Sequence, residues 1–241
     1  SAERLEQTRR DYVANVSHEL RTPLTAMRAL IEPLRDGLVK TEEQRQQIYD
    51  VVLRETMRLS RLVNDMLELS RLQSGTASLS RSVFAPLPLF NLIHETYSAY
   101  AEDYQQTFVY DVPEDLPSVW GNPDRTQQVL IVLLDNAFKY TPEGGVVTLS
   151  ACAEGDVVRV RVRDTGVGIP AADLPHVFDR FYKVDKSHHS KGTGLGLAIA
   201  YEIMKHLGEE MSVTSEPGRG SCFSFTLHIA QSVAEKTAKL P

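Results

Sequence analysis

The stretch Val13-Ala14-Asn15-Val16-Ser17-His18-Glu19-Leu20-Arg21-Thr22-Pro23-Leu24-Thr25-Ala26-Met27 decides how the first third of the chain folds. Val13, Val16, Leu20, Leu24 and Met27 recur at spacings of three and four, and the series continues through Ile31 and Leu34. That rhythm is one apolar face of an α-helix. Gly37 and the polar run from Lys40 to Arg45 interrupt it, and a second stripe follows: Ile48, Val52, Leu59, Leu62, Met66 and Leu69. Two long helices joined by a short turn form a hairpin. A lone hairpin has too little partner surface to cover its stripe, so a homodimer closing a four-helix bundle is expected.

Within that stretch, His18 falls opposite the arc between Val16 and Leu20 and therefore faces solvent. A neutral imidazole is a competent nucleophile near neutral pH. Glu19 beside it can orient the ring and take up its proton, and Thr22 lies one turn on, on the same face. Pro23 removes a backbone hydrogen bond in mid-helix, a cost of about 3 kcal/mol with no evident packing gain, and should bend or loosen the helix there.

Composition narrows the class. The 241 residues are 42% apolar and 24% charged, ordinary for a globular protein. A net charge of −6 argues against nucleic acid as a partner. No apolar run approaches the roughly 20 residues that span a bilayer. The first ten residues are polar and helix-prone, unlike a signal peptide. Cys152 and Cys222 read as two buried thiols in a reducing compartment. A cytoplasmic location is expected.

Small and polar residues dominate Ser70 to Ser82, which reads as a linker. Beyond it the pattern becomes mixed: helices over 86–103 and 123–140, strands over 107–112, 146–153 and 157–164, a long glycine-bearing irregular stretch over 165–191, a helix over 192–207, and closing strands over 211–215 and 222–228. Helices on one face of a mainly antiparallel sheet make an α+β two-layer sandwich. The expected divisions are 1–73 (helical hairpin), 74–82 (linker), 83–230 (sandwich) and 231–241 (tail).

Four motifs sit in the sandwich. Asp135-Asn136-Ala137-Phe138-Lys139-Tyr140 places an amide oxygen suited to Mg²⁺ nearly one turn before a lysine suited to phosphate. Asp164-Thr165-Gly166-Val167-Gly168-Ile169-Pro170 sets an acceptor-only carboxylate beside glycines that allow close backbone approach. Phe178-Asp179-Arg180-Phe181-Tyr182-Lys183 is an aromatic cluster ending in a cation. Gly192-Thr193-Gly194-Leu195-Gly196-Leu197 opens a helix, where free N–H groups favour anions. A dinucleotide fingerprint is excluded because a long loop, not a parallel strand, precedes these glycines. Pro217-Gly218-Arg219-Gly220-Ser221-Cys222-Phe223 reads as a structural turn.

These strings, in this order, resemble the H box and the nucleotide motifs of bacterial two-component sensor histidine kinases. The resemblance runs from about Asp11 to Ile229. It implies an all-α dimeric hairpin followed by an ATP-binding sandwich of the Bergerat (GHKL) type, shared with type II topoisomerases, ninety-kilodalton heat-shock chaperones and mismatch-repair ATPases. It also implies ATP and Mg²⁺ as cofactors, autophosphorylation of His18, and phosphotransfer to the receiver domain of a response regulator. Asn136 would be the metal ligand. Lys139, Tyr140, Asp164, Gly166, Gly168, Ile169, Lys183, Gly192, Thr193, Gly194, Leu195, Gly196 and Leu197 would surround the nucleotide, with Asp164 reading adenine. Thr22 would position a water that dephosphorylates the regulator. Any membrane anchor would lie in segments absent from this chain.

Two departures stand out. Val132 occupies a position where the family usually has a further asparagine, and Ser187-His188-His189-Ser190-Lys191 stands where arginine is more usual. Val132 leaves open a second class, a catalytically weak dimeric scaffold that binds a regulator without phosphorylating it.

Overall fold

The computed structural model describes residues 2–184 and 192–231. Helices α1 (Ala2–Arg35) and α2 (Glu42–Gln73) form the hairpin. Gly37, at φ 71°, ends α1: Leu38 N donates to Pro33 O at 3.0 Å and Gly37 N to Leu34 O at 3.3 Å. This is the left-handed glycine cap that satisfies the last carbonyls of a helix. Thr41 starts α2 by accepting from Gln44 N at 3.2 Å, with Glu42 and Glu43 in the first turn.

One expectation fails here. Pro23 has a packing role, because its ring is buried, and α1 runs through it as one continuous helix. Burial of the ring offsets part of the lost hydrogen bond. Leu24, Ile31, Leu53, Met57 and Leu67 remain exposed on the single hairpin, whereas Leu62, Leu69 and Leu72 are buried. The last three lie along the part of α2 that packs on the second half of the molecule.

That half holds β1 (Ser82–Phe84), α3 (Pro86–Asp103), β2 (Thr107–Asp111), β3 (Val119–Gly121), α4 (Pro123–Tyr140), β4 (Val146–Glu154), β5 (Val157–Asp164), α5 (Gly196–His206), β6 (Met211–Glu216) and β7 (Gly220–His228). Strand order in the main sheet is β2-β4-β5-β7-β6. β2 and β4 run parallel; the other pairs are antiparallel. Alternation along β4 and β5 turns Val147, Leu149, Ala151, Val158, Val160 and Val162 inward. Phe225 and Leu227 of β7 join them, and the apolar stripe of α4 supplies Val129, Leu130, Leu133 and Leu134. Each fully buried side chain of this kind contributes about 1.5–3 kcal/mol.

β1 and β3 pair as a separate two-stranded sheet that the sequence pattern does not reveal, since three residues are too few to display a period. The last helix begins at Gly196, not Gly192, because Gly192 and Gly194 take φ of 134° and 72°, outside the helical region. Cys152 and Cys222 are free, but both are only half-buried, on the polar face of the sheet. Among the described residues, no helix is long and apolar enough to cross a membrane.

Candidate active site

His18 is exposed on α1, as the periodicity requires. Thr22 Oγ1 donates to the carbonyl of His18 at 3.1 Å, which holds the hydroxyl one turn from the imidazole. Glu19 is half-buried and faces two cations: Lys183 Nζ at 3.3 Å from each carboxylate oxygen, and Arg58 Nη2 of α2 at 3.8 Å. The aromatic segment after β5 thus reaches the histidine turn directly.

On α4, Pro123 sits in the first turn and Asn122 caps the helix by accepting from Arg125 N at 3.0 Å. Asn136 is half-buried, and its side-chain amide makes no hydrogen bond among the described residues. Lys139 Nζ lies 3.0 Å from Tyr140 Oη and 4.6 Å above that ring. A Cβ built on Gly192 would meet the same Nζ at 3.3 Å. The helix and the glycine loop therefore converge on Lys139. Val132 packs against the start of α5: a Cβ on Gly196 would touch its methyl group at 3.4 Å.

Asp164 ends β5 and is only 6% exposed. Its Oδ1 accepts from Gly166 N at 2.9 Å and from Ser221 N at 3.2 Å, which leaves Oδ2 with acceptor capacity. Burial pushes the carboxyl above the ordinary carboxylate range, and the two N–H donors pull it partly back. Gly166 admits no side chain, since a Cβ would overlap the carbonyl oxygen of Tyr140. Gly168, at φ 70°, lies just as tightly against Glu216. Ile169 N donates to Ser215 Oγ at 2.8 Å, and Gly218 N to Val167 O at 2.8 Å. The turn before β7 is therefore a clamp on the Asp164 loop.

Phe178 stacks on Tyr201 at 5.0 Å and meets Phe223 edge-on at 6.2 Å. Phe181 takes φ 61°, an uncommon conformation for a bulky residue, and its N–H donates to Gly194 O at 2.8 Å. Leu195, buried, donates its N–H to Thr193 Oγ1 at 3.3 Å, and half-buried Leu197 lies in the first turn of α5. Two participants escape the sequence patterns. Asp65 of α2 accepts from Thr193 Oγ1 at 2.9 Å, and Glu68 accepts from Gln128 Nε2 at 2.9 Å and from Arg125. The Ser187–Lys191 segment lies outside the described residues.

The donor set fits a magnesium nucleotide. Among the described residues it offers an amide without a partner, a buried carboxylate with a spare oxygen, two lysines, and a glycine loop at the start of α5. Residues 8–75 match the His Kinase A (phospho-acceptor) domain. Residues 121–231 match the histidine kinase-, DNA gyrase B- and HSP90-like ATPase. The chain accordingly belongs to the sensor histidine kinases, as their phosphoacceptor and ATPase core.

Among characterised relatives, the sensor histidine kinase WalK of Bacillus subtilis (strain 168) is 40% identical over 229 residues, covering 93% of this chain and 37% of that protein. The chain thus spans little more than a third of that relative. Full-length ShkA, solved in complex with AMPPNP, is 31% identical with a TM-score of 0.68, covering 91% of this chain and 46% of that one. The histidine kinase ThkA, solved with the response regulator protein TrrA, shares the fold at a TM-score of 0.76 and 23% identity, over 96% of this chain and 64% of that one.

Proposed function

We propose that this chain transfers the γ-phosphate of ATP to His18 and then to an aspartate in the receiver domain of a response regulator. The observation that carries this reading is the 3.3 Å contact of Lys183 with Glu19, which brings a phosphate-binding cation of the ATPase half to the residue beside His18. Asp164 reads the adenine amino group through its spare oxygen. Lys139, Tyr140, Lys183, Thr193 and the glycines from Gly192 to Gly196 surround the phosphates, with Gly166, Gly168 and Ile169 shaping the base pocket. Asn136 holds Mg²⁺, which when bound neutralises phosphate charge. Glu19 accepts the imidazole proton as the nitrogen attacks. The complexes of ShkA with AMPPNP and of ThkA with TrrA support the nucleotide and the regulator as ligands.

Residues 1–73 act as a dimerising phosphotransfer hairpin, 74–82 as linker, 83–230 as the ATP-binding domain and 231–241 as a tail. The apolar residues left exposed on the hairpin are suited to a second copy, which completes the four-helix bundle. The core works in the cytoplasm, and the longer protein is held at the membrane by other segments. Thr22 gives it a second activity, dephosphorylation of the regulator. The test is incubation with ATP and Mg²⁺ followed by mapping of acid-labile phosphate. Label on His18 is expected, and label elsewhere or none overturns the reading. The scaffold alternative predicts nucleotide-independent regulator binding and no label.

A further inference from the structure

Two of the residues suited to phosphate are already occupied by carboxylates of the hairpin. Lys183 and Thr193 stand at the two edges of residues 185–191. Lys183 is held by Glu19 of α1 and Thr193 by Asp65 of α2. Around this pair the two halves are further joined. Glu68 takes Arg125 and Gln128 from the first turns of α4. Tyr12 of α1 packs on Phe181 at 5.8 Å, with the Arg180 guanidinium 5.3 Å over its ring.

We propose that Glu19 and Asp65 are built-in competitors of the nucleotide, so that this arrangement of the two halves, with Lys183 and Thr193 held by the hairpin, and binding of ATP exclude one another, while the ATP-loaded half meets His18 in a different one. The inference rests on the ATP-binding reading above. A hydroxyl has one proton, and that of Thr193 goes to Asp65 while its oxygen accepts from Leu195 N. It has none left for a phosphate oxygen. A carboxylate in that place also repels phosphate charge, and Lys183 is already charge-matched by Glu19.

The docked state is poised for release. Burial raises the pKa of Asp65 despite its bond to Thr193, so its charged form gains by returning to water. Glu19 keeps a cation after Lys183 departs, because Arg58 belongs to the same hairpin. ATP therefore releases Glu19 from Lys183 by the same exchange that fills the site, which couples nucleotide binding to mobility of the domain. The apparent affinity is the intrinsic one reduced by the docked fraction.

The experiment titrates the whole chain with a non-hydrolysable ATP analogue and Mg²⁺, in wild type, Asp65→Ala, Glu68→Ala and the double variant. Alanine suits both half-buried helical positions, and melting curves confirm that each variant is folded. Each single change removes a docking contact and none of the proposed nucleotide ligands. The Kd is expected to fall roughly three- to tenfold in each, with little further gain in the double variant, because one equilibrium is being exhausted. If wild type binds and neither Asp65→Ala nor Glu68→Ala tightens it, the competition is overturned while the ATP reading stands. If no form binds nucleotide, the ATP reading falls and takes the competition with it.

Discussion

The carboxylate of Asp164 accepts a 3.2 Å hydrogen bond from the backbone of Ser221, 57 positions later in the chain. The bond fixes the proposed adenine reader to the start of β7, so the β6–β7 turn belongs to the site without touching the nucleotide in this reading. Asp164→Asn keeps the shape but presents a donor where an acceptor is required. Nucleotide affinity should drop about 10- to 100-fold, the worth of a charge-assisted hydrogen bond. A titration with unchanged affinity removes Asp164 from the site.

The same turn predicts a contrast between two glycines. Gly220 has φ 98°, and a Cβ there would overlap the carbonyl oxygen of Asp164. Gly218 has φ 76° with open space around it. Gly218→Ala should cost only the left-handed strain, about 1–2 kcal/mol. Gly220→Ala adds overpacking of another 1–3 kcal/mol or so and should weaken nucleotide binding as well, by displacing Asp164. Denaturant melts and titrations of the two variants side by side decide the matter, and equal losses would disprove the clamp.

Acidification should separate binding from stability. Burial holds the Asp164 carboxyl above the ordinary range, so it protonates at a pH where an exposed aspartate is still ionised. Nucleotide affinity should weaken as pH falls through that raised value, because the acceptor form is lost. The nucleotide-free fold responds in the opposite sense. Its Asp164 contribution is full below the unfolded value near ~3.9 and declines as pH rises through the folded one. Affinity and melting temperature measured together against pH should therefore diverge for this residue, and Asp164→Asn should abolish its part of the divergence. An affinity that stays flat until the chain acid-unfolds counts against the assignment.

His18→Gln should abolish acid-labile labelling and leave nucleotide affinity near that of wild type. The imidazole is exposed on α1, and the nucleotide motifs all lie after residue 130. Persistent labelling of the variant at the normal rate would move the phosphoacceptor elsewhere.

Long elements and local motifs were legible in the sequence because each is written in consecutive residues. The expected helices over 86–103 and 123–140 coincide with α3 and α4, whose first turns carry Pro86 and Pro123. Short or distant relationships left no such mark. β1 and β3 are three residues each and gain their identity only from each other. Asp65 finds Thr193 across 128 positions and Glu68 finds Arg125 across 57, from a helix face that reads only as solvated charge. Pro23 looked unsupported because the burial of its ring depends on tertiary packing, which spacing does not reveal.

Thr22→Ala should divide the two proposed activities of the hairpin. Autophosphorylation needs the His18 imidazole, Glu19 as base and ATP delivered by the second half, and Thr22 supplies none of these. Dephosphorylation of the regulator needs a water held in line with its phosphoaspartate. The Thr22 hydroxyl commits its proton to the His18 carbonyl at 3.1 Å, so its oxygen is directed one turn from the imidazole with lone pairs left to accept from water. Alanine keeps the helix and loses that acceptor. The variant should label with ATP at close to the wild-type rate, while its stimulation of phosphoregulator decay falls by about 100-fold, the scale for loss of a positioning contact. Decay of purified phosphoregulator, followed with either protein added, is the measurement. Equal acceleration by both would show that Thr22 serves only the backbone of α1 beside Pro23, and that any such activity arises from other residues.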